Sequence, residues 1–137
     1  MATIELCADN SHLAAIRAFV QRTSCELGLD ESAAYDLTLA VDEVCSNVIR
    51  HGYSGQGGRL ELSVGLVEGG VQAIVRDWGR EFDPKSVPVP DLELPLEMRP
   101  LGGLGLHLVR ELVDELAFAF DGVSGNTATM VKQLREG

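Results

Sequence analysis

Between Glu31 and Asp77 the hydrophobic spacing of this chain changes once, and that change restricts the fold more than any other feature. From Glu31 to about His51, the residues Ala34, Leu37, Val41, Val44, Cys45 and Val48 recur at helical spacing and form one stripe, preceded by Asp30 as an N-cap. The run GYSGQGG breaks that pattern. RLELSVGLVE and VQAIVRD follow, rich in β-branched residues and joined by Gly69 and Gly70, and they read as a hairpin. A helix with one apolar stripe must bury it against another element, so helix and hairpin together predict a layer of helix on sheet.

The remaining segments extend both layers. ATIELCA alternates as a first strand, and Asn10 or Ser11 caps a helix that runs to about Leu27 and ends at Gly28. Residues 80 to about 100 hold all five prolines and show no sustained period, which predicts a long mobile loop. LGGLGLHLVRELVDEL returns to helical spacing, with Leu104, Leu108, Val109 and Leu112 on one side. LAFAFDG and NTATMVKQL then close the chain as an antiparallel pair. The order predicts an α+β two-layer sandwich, with helices on one face of a mainly antiparallel mixed sheet.

Composition narrows the partners. With 137 residues and 45% apolar content, the chain is expected to form one domain, 1–137, around one core. Lys plus Arg number 11 against 21 for Asp plus Glu, giving a net charge of −10, and no basic patch is visible. Nucleic acids and anionic membranes draw their affinity from clustered cations, so neither is an expected partner. MATIELCADN has no basic stretch followed by an apolar run, and no apolar segment approaches the roughly 20 residues of a membrane span. A soluble, cytoplasmic protein is expected. Cys7, Cys25 and Cys45 fit no CxxC spacing and read as plain, mostly buried thiols, with neither disulfide framework nor zinc site.

Three separated segments carry chemistry. On the second helix Asp36, Glu43, Asn47 and Arg50 fall within a narrow polar band opposite the apolar stripe, so Glu43 and Asn47 project side by side. A carboxylate there can orient or deprotonate a nucleophile, and an amide oxygen is a hard ligand suited to Mg²⁺; the same pair also suits a solvated helix face. In DWGREFDP, Asp77 ends an apolar strand and Gly79 lets the backbone approach a flat ring, so the carboxylate can accept an exocyclic amine. In LGGLGLHLV, Gly102, Gly103 and Gly105 lead into a helix whose first amides lack internal partners and favour a phosphate. His51 and His107 read as structural or surface groups.

These segments, in this order, resemble the N, G1 and G2 boxes of the GHKL ATPases, the superfamily of histidine-kinase-like ATPases. LAVDEVCSNVIRHGY, DWGREFDP and GGLGLHLVRELVDEL are most similar to the RsbW and SpoIIAB type of anti-sigma factor serine kinases, over nearly the whole chain. The resemblance implies the Bergerat-type ATP-binding fold, with ATP and Mg²⁺ as cofactors. By position it makes Glu43 the base or orienting group and Asn47 the Mg²⁺ ligand. Asp77 becomes the adenine-reading carboxylate, with Gly79 allowing ring approach and Thr127 supporting the adenine end. Gly103, Leu104, Gly105 and Leu106 become the phosphate-binding turn, and residues 80 to about 102 the ATP lid.

The activity implied is a serine/threonine protein kinase acting on a STAS-domain anti-sigma antagonist, with sequestration of a sigma factor as a second role and homodimerisation as a family habit. Two positions depart from the family pattern. Glu81 stands where many relatives have glycine or proline, and Arg99, Pro100 and Leu101 replace a richer basic approach to the glycine turn. Few cations near the phosphates favour binding over fast turnover. A nucleotide-sensing module that captures its partner with little kinase activity is therefore the alternative.

Overall fold

A computed structural model of the chain describes residues 1–53, 57–79, 103–121 and 125–134. Among the described residues five strands form one sheet in the order β1-β2-β3-β5-β4, and each of their pairings is antiparallel, where a mixed sheet is expected. The strands are β1 (Ala2–Cys7), β2 (Arg59–Val67), β3 (Gly70–Asp77), β4 (Glu115–Asp121) and β5 (Gly125–Gln133). Helices α1 (Leu13–Glu26), α2 (Glu31–Asn47) and α3 (Gly103–Leu112) complete the α+β sandwich. The predicted 80–100 loop lies outside the described residues.

Local chemistry explains most of the boundaries. Asp30 caps α2 as expected, its Oδ1 accepting the Ala33 amide at 2.7 Å. Neither Asn10 nor Ser11 caps α1: a short 3-10 turn, Asn10–His12, precedes it and is capped by Asp9, whose carboxylate accepts the Ser11 amide at 2.7 Å, and α1 then begins after His12 with no side-chain cap. Gly28 follows the end of α1 with φ +115°, a conformation that a Cβ would oppose. The hairpin turns at Glu68 and Gly69, so Gly70 is already the first residue of β3.

Alternation in the strands and periodicity in the helices meet in one core. Leu60, Leu62 and Val64 of β2, Val71, Ala73 and Val75 of β3, and Ala128 and Met130 of β5 all turn to one face and are buried. Against them pack Ile16, Phe19 and Val20 of α1, the α2 stripe Ala34, Leu37, Val41, Val44 and Cys45, and Val109 of α3. A partly exposed ion pair, Arg17 to Asp42 at 2.9 Å, ties α1 to α2. Cys25 and Cys45 sit against or inside the core, but Cys7 is exposed. It faces away from the helices on edge strand β1, opposite Arg59. No helix among the described residues is long and apolar enough to cross a membrane.

The core predicts a contrast between two leucines. Leu37→Ala, at a position with no exposed surface, should cost about 2–5 kcal/mol in urea unfolding. Leu66→Ala, at 57% exposure, should stay within about 0.5 kcal/mol of wild type.

Candidate nucleotide site

Asp77 closes β3 on the helix-facing side of the sheet and is only 6% exposed. The antiparallel register sets Asn126 of β5 directly opposite it. Asp77 Oδ1 accepts the Gly79 amide at 2.9 Å and Asn126 Nδ2 at 3.1 Å. Asn126 Nδ2 also donates to the Gly79 carbonyl at 3.0 Å, so one side-chain amide holds both the carboxylate and the turn that follows it. Gly125 makes this closeness possible: its φ is +93°, and a Cβ there would lie 2.7 Å from the Asp77 carbonyl oxygen. Burial pushes the Asp77 carboxyl above the usual aspartate range, and the bonds from Asn126 and Gly79 offset part of that rise.

The turn is fastened from a second direction. Tyr53 Oη accepts the Trp78 amide at 2.9 Å and donates to the Arg59 carbonyl at 2.7 Å. Arg59 in turn stacks over the Trp78 ring at 4.4 Å. The start of β2 and the end of β3 are thereby locked where Gly79 turns.

Glu43 and Asn47 lie one turn apart near the C-terminal end of α2, which packs on both β3 and β5. Glu43 is half-buried, whereas Asn47 is 5% exposed. Asn47 Oδ1 accepts Arg50 Nη2 at 3.2 Å, and its buried Nδ2 has no partner among the described residues. Arg50 belongs to a π-helical turn, Val48–Gly52, that continues α2. The thiol of Cys45, between Glu43 and Asn47, is fully buried and strongly raised, first by desolvation and then by the charges of Asp42 and Asp77.

The donor set suits Mg²⁺ bound chiefly through phosphate. Among the described residues no three His, Cys, Asp or Glu converge as a metal cage. Asn47 offers one hard oxygen in a buried setting, and Mg²⁺ commonly takes one or two protein oxygens while keeping water and phosphate ligands. Gly103, Leu104, Gly105 and Leu106 form the first turn of α3, whose body packs against α2. The opening amides of a helix remain open to an anion.

Thr127 is not brought beside Asp77. Its register partner is Arg76, and alternation turns its side chain to the opposite face from Asn126. Asn126 is the residue that sequence reasoning missed, together with Tyr53. A signal for Asn126 was present, since asparagine is disfavoured in a strand otherwise rich in Thr, Met and Val. His107 makes a surface contact with Glu111 at 3.8 Å, in keeping with its expected role.

Residues 6–132 match the model of the histidine kinase-like ATPase domain. The serine-protein kinases RsbW of Bacillus thuringiensis (strain Al Hakam) and Bacillus cereus (strain 03BB102) are each 29% identical over 132 residues, covering 93% of this chain and 81% of theirs. In structure, the RsbU and RsbW domains of Rv1364c from Mycobacterium tuberculosis match with a TM-score of 0.69 and 22% identity. That match covers all of this chain and 34% of the longer one. The Acinetobacter baumannii histidine kinase AdeS matches with a TM-score of 0.52 at 15% identity, over 99% of this chain and 70% of its own. These structural likenesses concern the fold.

The raised Asp77 carboxyl makes stability pH-dependent. Its contribution is fully present below the ordinary aspartate pKa of about 3.9 and is lost as pH rises through the raised folded-state value. Asp77→Asn cannot ionise, so its stability relative to wild type should increase as pH climbs from about 3.5 through that range and then level off. Urea unfolding of both proteins across the range reads the difference. A gap that stays constant with pH would show that ionising Asp77 costs the fold nothing.

Proposed function

Because the chain belongs to the histidine kinase-like ATPase domain family, we propose that it is an ATP- and Mg²⁺-dependent serine/threonine protein kinase of the anti-sigma type. The observation that carries this reading is Asp77, buried at the end of β3 and held by Asn126 and the Gly79 amide, on the strand against which α2 packs with Glu43 and Asn47 one turn apart. The RsbW relatives are named serine-protein kinases, which supports a protein hydroxyl as the acceptor. The expected substrate is a serine or threonine of a STAS-domain antagonist, with a sigma factor as the second protein held in turn.

Residues 1–137 then form one kinase domain, in which 80–102 cover bound ATP. Asp77, kept in place by Asn126 and the Gly79 amide, accepts the adenine amine, and Gly79 admits the flat ring. The amides of Gly103, Leu104, Gly105 and Leu106 hold the phosphates. Asn47 would hold Mg²⁺ through Oδ1, the atom that here accepts Arg50 Nη2, and the ion would neutralise phosphate charge. Glu43 orients the acceptor hydroxyl and takes its proton as the oxygen bonds to the γ-phosphorus. The bond from that phosphorus to the bridging oxygen breaks, and ADP leaves with the electron pair. Half-burial suits Glu43 to this task, since an incoming hydroxyl must reach it.

Incubation with γ-labelled ATP, Mg²⁺ and candidate STAS proteins tests the reading. Wild type should transfer label to one of them, and Glu43→Ala should transfer about 10²–10⁴-fold more slowly while still binding ATP. A stable complex without transfer would favour a nucleotide-sensing binder instead. An unchanged rate in Glu43→Ala would remove Glu43 from the chemistry.

A further inference from the structure

Lys132 and Asp36 take no part in the contacts described so far. Lys132 lies on the helix-facing side of β5 and is 7% exposed. Its Nζ donates to the Leu112 carbonyl at 2.8 Å and meets Asp36 Oδ2 on α2 at 3.1 Å. An ammonium taken out of water needs acceptors for its protons. Here it finds a carboxylate and one of the last carbonyls of α3, which no amide within the helix can satisfy.

The backbone fastens the same end of α3. Asp114 N donates to the Val131 carbonyl at 2.9 Å, and Asp114 Oδ2 accepts the Gln133 amide at 2.7 Å. The C-terminal end of α3 is thus fixed to β5 directly, and to α2 through Lys132. From that junction two helical arms run to the candidate groups. On α2 the path goes from Asp36 to Asn47, about 16 Å at the α-helical rise, and on α3 from Leu112 back to Gly103, about 14 Å.

We propose that Lys132 is a positioning residue for phosphoryl transfer: by clamping Leu112 to Asp36 it sets the seat of α3 on α2, and so where the amides of Gly103–Gly105 stand relative to Asn47 and Glu43. This rests on the reading of the chain as an ATP-binding kinase. A tilt of about 5° at the junction moves the far end of an arm this long by about 1 Å. Displacements of that size suffice to disturb phosphate placement. The adenine end should be indifferent, because Asp77 and Asn126 pair six residues away along the same two strands from Val71 and Lys132.

Lys132→Met keeps the apolar stem and removes the charge. Affinities for ATP with Mg²⁺ and for adenosine alone should separate: the ATP dissociation constant rises about tenfold, while that for adenosine stays within about twofold. Lys132→Arg should recover most of the loss. Equal weakening for both ligands would mean general loosening, and no weakening of either would mean that the contact is idle; each overturns the proposal. Should Lys132→Met fail to fold, Asp36→Asn carries the same comparison, because Asp36 is partly exposed and its loss leaves Lys132 the Leu112 carbonyl. A wild type that binds neither ligand would overturn the ATP reading itself, and this proposal with it.

Discussion

The register of β3 on β5 is the constraint on which the rest of the molecule depends. Both strands lie inside the sheet, and pairing Asp77 with Asn126 sends Val75, Ala73 and Val71 to the same face as Ala128, Met130 and Lys132. A slip of one residue would turn the apolar set of one strand outward and set Thr127 beside Asp77 in place of Asn126. Burial of the apolar pairs therefore decides the polar ones at the strand ends. Core and candidate site are specified by the same pairing, which is why the site needs few residues of its own to hold its shape.

What could be read from sequence was what depends on near neighbours. The α2 stripe, the Asp30 cap and the hairpin are periodicities or local hydrogen bonds, and the structure has each of them. The side-by-side placement of Glu43 and Asn47 follows from helical spacing alone. Asn126 was hidden because its partner is 49 residues distant, and only the register selects it over Thr127. Asp36 was grouped with Glu43 and Asn47 by its helical phase, yet it is engaged by Lys132, a residue brought over by the last strand. Composition suggests a mostly buried thiol at Cys7, but its strand is a sheet edge and the residue is exposed.

The polar groups taken out of water show where stability has been conceded. Asp77 sits where its charge is disfavoured, and Asn47 keeps an amide group without a partner among the described residues, a condition that typically costs about 1–3 kcal/mol. Both belong to the candidate site, where local rules are expected to be broken. Ser24 Oγ and Arg76 Nε are also buried without a partner among the described residues. Lys132 represents the opposite choice, a buried charge whose acceptors come from two separate helices.

The π-helical turn after Asn47 has a consequence for how this segment can vary. A π-turn is an α-helix carrying one surplus residue, so it shifts the angular phase of everything downstream by about 100°. Tyr53, the next residue, reaches Trp78 and the Arg59 carbonyl from that shifted phase. Deleting one residue between Val48 and Gly52 would remove the surplus and restore ordinary winding with Tyr53 still at the phase from which it reaches the turn at Gly79, whereas adding one would swing it away. Most surface connections tolerate changes of length in either direction; this one is a ratchet, which can lose its surplus residue more easily than it can gain another.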